Sequence, residues 1–151
     1  MTSSSFIKFV LIVFTGLLLQ NCSKEKSHTA KEAPTYEELL VAHPWNGIEV
    51  IRYVNGNAGS PNPITDLKYV FTDDFKYKKY DNNTLIQDGT WEIVSGSSIY
   101  FVRTRYFDAN LNHNILDDLQ IVKLTSDIFE YSVPIIDNSG DIKRDQFKYG
   151  R

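Results

Sequence analysis

From Trp45 to Tyr149 the chain alternates short stretches rich in aromatic and β-branched residues with clusters of Asn, Asp, Ser, Gly and Pro. Several stretches alternate strictly, as in Leu67-Lys68-Tyr69-Val70-Phe71, which sends successive side chains to opposite faces of a strand. This pattern predicts eight strands, over residues 45–55, 67–72, 75–80, 85–94, 99–107, 119–124, 128–135 and 142–149. A slip in the alternation near Val50-Ile51 predicts a bulge in the first, and the stretch from Asn55 to Pro63 reads as a loop. Asp73-Asp74, Ser95-Gly96-Ser97-Ser98 and Thr125-Ser126-Asp127 join neighbouring strands as hairpins. Antiparallel neighbours joined in this way form a meander, and eight strands suffice to close it, leaving no unpaired edge. The predicted fold is therefore all-β, a small up-and-down antiparallel eight-stranded barrel. One short helix precedes it, because Thr35-Tyr36-Glu37-Glu38 has capping-box spacing and Pro44 and Gly47 stop the helix after Leu39, Leu40 and Val41.

The N-terminal segment reads as something other than fold. Residues 1–21 begin with a short stretch carrying Lys8 and continue as an apolar run from Phe9 to Leu19. That run is about half of the roughly 20 residues a membrane-spanning helix needs, and it fits the apolar region of a secretory signal. Leu19-Gln20-Asn21-Cys22 resembles a bacterial lipobox, in which the cysteine becomes the lipidated first residue of the mature protein. That resemblance implies an anchor in the outer membrane, on its periplasmic face or at the cell surface, and Ser23-Lys24-Glu25 is similar to short charged surface-export signals. Residues 22–33 contain no Ile, Leu, Val or aromatic residue and can bury nothing, so they are read as a flexible tether of about 20 Å. The domain proper is then 34–151.

Composition removes several classes of function. With 16 Lys+Arg against 19 Asp+Glu the net charge is −3, without the basic excess of a nucleic-acid binder. A single cysteine excludes a disulfide scaffold and a multi-cysteine zinc site. His28, His43 and His113 are scattered, so no catalytic set, metal site or cofactor is predicted. The stretch from Asp108 to Asp118 has oxygen side chains at the first, third and fifth positions of a calcium loop. It carries His113 where that loop needs glycine and Leu119 where it needs a bidentate carboxylate, so a long Asx-rich turn is expected instead. Arg103 and Arg105 are placed outward, with Val102 and Thr104 inside, since unpaired charges are rarely buried.

Tyr69-Val70-Phe71-Thr72-Asp73-Asp74-Phe75-Lys76-Tyr77, Asp88-Gly89-Thr90-Trp91-Glu92-Ile93, Ile121-Val122-Lys123-Leu124-Thr125 and the opening Trp45-Asn46-Gly47 together resemble the lipocalin-like domains of bacterial lipoproteins. The resemblance covers residues 43 to about 135, with Phe75 standing where that family often has a turn glycine. Parity along the strands places Phe75 and Tyr77 on one face and Lys76 and Lys78 on the other. It assigns Tyr69, Phe71, Tyr77, Trp91, Phe129 and Tyr131 to the interior as the candidate ligand lining. An eight-stranded barrel is just wide enough to be filled by side chains or to hold one small ligand. Two functions are compatible with this reading: a lipid-anchored barrel binding a small apolar or amphipathic molecule, or a non-catalytic accessory subunit acting on an envelope protein partner through its outer surface.

Overall fold

The helix forms over Tyr36–Val41 (α1), with the Thr35 hydroxyl accepting from the Glu38 amide at 3.2 Å and the Glu38 carboxylate accepting from the Thr35 amide at 2.8 Å. Six residues are too few for a stable isolated helix, so packing must hold it. Leu40 is fully buried, and its carbonyl accepts the Trp45 indole N–H at 2.9 Å. The computed structural model describes residues 32–135 and 140–151, of which Pro34–Arg151 makes up one compact unit. The signal region, Cys22 and nearly all of the tether lie outside the described residues.

Among the described residues, ten strands come after the helix: β1 Trp45–Val54, β2 Asn57–Ala58, β3 Asn62–Pro63, β4 Leu67–Phe71, β5 Lys76–Asp81, β6 Thr84–Ser95, β7 Tyr100–Asp108, β8 His113–Leu124, β9 Ile128–Ile135 and β10 Lys143–Gly150. β4 to β10 pair antiparallel in chain order, β1 pairs β4 on one side, and β10 returns to pair β1 from Asn46↔Gly150 to Val54↔Lys143. The eight long strands thus close into the predicted up-and-down barrel. β1 touches β4 only at Trp45↔Tyr69 and Asn46↔Lys68, and the two-residue strands β2 and β3 cover the rest of its edge.

Four local expectations are corrected. The bulge in β1 falls between Gly47 and Glu49, not at Val50-Ile51. A Cβ on Gly47 would collide with the Ile64 carbonyl oxygen, so the crossing chain needs glycine there. The expected loop after β1 begins as a tight hairpin, because Asn55 and Gly56 both take positive φ (51° and 84°), the backbone of a type I′ turn. β8 starts at His113 rather than Leu119, and residues 113–118 pair with 103–108 of β7, which shrinks the expected long turn to residues 109–112.

The fourth correction concerns Phe75. It is not a strand residue facing inward with Tyr77; it occupies the turn before β5 at φ 59° and is 55% exposed. Its amide donates to the Thr72 carbonyl at 3.1 Å, while the Thr72 amide closes the turn on the Lys76 carbonyl at 2.9 Å. This is a left-handed position that glycine would occupy without cost.

The barrel has two unlike ends. Turns 72–75, 96–99 and 125–127, the start of β1 and the end of β10 gather at one end, together with α1. His43 ties the α1–β1 junction to that end, its ring nitrogens lying 2.9 Å from the Pro44 carbonyl and 2.8 Å from that of Ser126. At the other end lie the β1–β2 turn, Asn82-Asn83, residues 109–112, the end of β9 and the start of β10. No helix among the described residues covers it.

Candidate functional site

Interior parity decides what each half of the barrel contains. The half beneath α1 is solid with rings: Trp45 meets Phe129 edge-on at 5.8 Å, and Phe71 meets Trp91 at 5.6 Å. The Trp91 indole N–H donates to the Thr72 carbonyl at 3.2 Å, and Trp91 is only 3% exposed. A Cβ on Gly89, across from Tyr106 in β7, would run into the Arg105 carbonyl oxygen, so this glycine lets β6 and β7 approach beside Trp91.

All six residues assigned to the interior are buried there. Phe71, Trp91 and Phe129 belong to the packed half. Tyr77 sits between the halves, its hydroxyl accepting from the Gln87 amide at 2.8 Å. Tyr69 and Tyr131 alone reach the open end, where they border a cavity of about 210 Å³. Leu119, Val133, Ile135 and Phe147 complete its apolar wall, and Lys79, Gln87, Asp117 and Asp145 bring polar groups into it. Tyr131 stacks on Phe147 at 5.1 Å and on Tyr149 at 5.9 Å, a rigid aromatic floor.

The polar groups are of two kinds. Asp145 is already neutralised, gripped by Arg52 from the facing strand through two 2.8 Å hydrogen bonds. Lys79 and Asp117 are both half-buried and approach no opposite charge within 4.0 Å among the described residues. The Lys79 ammonium lies 5.3 Å from the centre of the Tyr69 ring. Burial lowers the Lys79 ammonium below its ordinary value and lifts the Asp117 carboxyl above the usual carboxylate range, each opposed by the other's charge. Burial also raises the Tyr69, Tyr77 and Tyr131 hydroxyls and pushes that of Tyr149 up to about 12. The Tyr149 hydroxyl has no partner in bonding geometry, although Tyr131 lies close enough to favour its ionised form.

Lys79 and Asp117 are absent from the lining expected from the sequence. The signal existed for the first: Lys79 comes two residues after Tyr77 and so shares its face. For Asp117 the same parity with Leu119 applies, once β8 is known to begin at His113.

Outside the barrel, Arg103 faces solvent as expected, held to Asp118 by hydrogen bonds of 2.7 and 2.9 Å with Glu92 at 3.9 Å. The Asp108 carboxylate accepts the amides of Asn110 and Leu111 at 2.8 and 3.1 Å, an Asx turn. Among the described residues, no three His, Cys, Asp or Glu side chains converge as a metal site would require, and no helix is long and apolar enough to cross a membrane. The chain matches no protein-family model, and no curated protein is detectably similar to it.

Proposed function

We propose that this chain is a lipid-anchored cell-envelope protein, held in the outer membrane through Cys22, whose lipocalin-like barrel binds a small apolar or amphipathic molecule in its open end. The observation that carries the reading is the division of the interior into a packed half and a mouth half, the latter containing a cavity of about 210 Å³ walled by apolar side chains with a few polar groups. A chain that needed only a stable barrel would gain by filling this space, since every unfilled methylene forfeits burial. The role is binding rather than catalysis: His43 and His113 are both engaged with backbone carbonyls, away from the cavity. To test it, a panel of small phenyl and alkyl alcohols is screened by ligand-observed NMR against the Cys22→Ser chain and against the same chain carrying Val133→Trp. Binding that disappears when the indole fills the mouth supports the reading. Absence of binding, or binding indifferent to Val133→Trp in a protein that still melts cooperatively, refutes it.

A second reading, an accessory module for an envelope protein partner, rests on a different observation. Leu85, Ile86 and Phe107, between 46% and 58% exposed, line a shallow groove of about 320 Å³ on the outside of the open end. Phe107→Ser separates the two, because it should weaken partner capture and leave small-molecule binding untouched.

A further inference from the structure

The cavity at the open end constrains the charge of its occupant as well as its size. Lys79 and Asp117 both line it and both are half-buried, yet no ion pair joins them. A neutral occupant would strip water from both charges and bring neither a counter-charge, which is costly for each. An anion would satisfy Lys79 while confronting Asp117, and a cation would do the reverse. The remaining charge in the wall, Asp145, is already matched by Arg52 and asks for no counterpart. The Tyr106 hydroxyl reaches Asp117 but brings no charge, so only a molecule carrying one positive and one negative group supplies a counter-charge to both side chains.

Size narrows the choice further. An apolar cavity of roughly 150 Å³ is enough to hold benzene, so about 210 Å³ admits one ring, or a branched chain of similar bulk, plus a short polar head. The flat floor of Tyr131 stacked on Phe147 suits such a ring. Building on the proposed binding of a small molecule in the mouth, we propose that the occupant is a small zwitterion of the amino-acid type with an aromatic or branched apolar body. Its carboxylate meets Lys79, its ammonium meets Asp117, and its side chain lies against Tyr69, Tyr131 and Phe147. The lowered Lys79 and raised Asp117 ionisations are what two charges waiting in a drying site would show, and a bound zwitterion would reverse both.

Four matched probes test the charge requirement by isothermal titration calorimetry on the purified protein at pH 7: L-phenylalanine, 3-phenylpropanoate, 2-phenylethylamine and 3-phenylpropan-1-ol. L-Phenylalanine should bind about tenfold or more tightly than each of the others, the gain of one charge-assisted contact over the singly charged probes and of two over the alcohol. Lys79→Met and Asp117→Asn should each erase that preference while melting remains cooperative. If a singly charged or neutral probe binds as tightly as L-phenylalanine, the zwitterion inference falls and the small-molecule reading of the mouth stands. If L-phenylalanine is preferred but keeps its advantage in both variants, it binds elsewhere and the inference falls. If no probe binds up to about 10 mM, far weaker than a functional site requires, the zwitterion and the small-molecule reading of the mouth fall together.

Discussion

Phe75 sets two effects of similar size against each other, and substitution can separate them. Its φ of 59° places a bulky residue in the left-handed region, a conformation that costs about 1–2 kcal/mol relative to glycine. Against this, the phenyl ring packs 5.5 Å from Trp91, and at 55% exposure it hides a little under half of its surface. A Phe side chain offers on the order of 200 Å², so the buried part is about 90 Å² and contributes about 2 kcal/mol, with about 0.5 kcal/mol more from the ring pair. The two terms nearly cancel, and the ring wins narrowly. Phe75→Gly relieves the backbone and loses the ring, so it should lower stability by only about 1 kcal/mol. Phe75→Ala loses the ring and keeps the strain, and should lower it by about 2–3 kcal/mol. Urea denaturation of the three proteins, monitored by tryptophan fluorescence with a common m-value, reads both differences. The decisive comparison is between the two variants. Alanine is ordinarily the more stable choice, since glycine's freedom in the unfolded chain favours unfolding; here glycine should be the more stable by about 1 kcal/mol. An alanine variant equal to or better than the glycine variant would refute the left-handed turn and with it the hairpin geometry from Thr72 to Lys76.

Other expectations rest on single contacts. Gly89→Ala should destabilise the barrel by more than about 2 kcal/mol, because its Cβ meets the Arg105 carbonyl oxygen on a backbone that cannot retreat; a melting temperature unchanged within a degree would contradict that geometry. Cys22→Ser should move the protein from the membrane pellet to the soluble fraction, and a variant still wholly in the pellet would refute lipid anchoring there. Burial raises the Asp117 carboxyl, so the folded chain holds that proton more tightly than the unfolded chain, and the associated stability is present at low pH and lost as pH rises through the raised value. Asp117→Asn should therefore melt above the parent at pH 7, the gap closing below about pH 4; equal melting at pH 7 would count against a desolvated carboxylate.

Much of the barrel is legible in the sequence because alternation is a local property that survives tertiary packing. Tyr69 and Phe71, Trp91 and Ile93, and Phe129 and Tyr131 each repeat at two residues, and each pair shares the inner face. The failures occur where one residue's backbone breaks the count. Phe75 continues the two-residue pattern into Tyr77, yet its positive φ takes it out of the strand. Asn55-Gly56 is a strong hairpin signal submerged in a run of loop-forming residues, since composition does not distinguish a tight turn from a long one. Residues 113–118 read as loop because Asn, His and Asp disfavour strands, but pairing with β7 at all six positions outweighs that weak preference.

The mouth is hidden for a related reason. Reading a strand by hydrophobicity assigns charged residues outward, and that rule holds for Lys76, Lys78 and Arg103, which point into solvent or onto exposed partners. It fails for Lys79 and Asp117, whose parity puts them on the same face as Tyr77 and Leu119. A charge on an inner face reads, in one sequence, as a slip of register. In a closed barrel it has another meaning, because the inner face near an open end is wet until something occupies it. The packed half and the open half therefore use one alternation for two purposes. Below, the inward positions carry rings and aliphatic groups that close the core, with Thr104 the buried hydroxyl among them; above, the same parity delivers Lys79, Gln87 and Asp117 to the rim of a space that the rings do not fill. Gln87 is held there by the Tyr77 hydroxyl, but Lys79 and Asp117 are placed at a desolvation cost, which is the cost that the proposed binding in the mouth would account for.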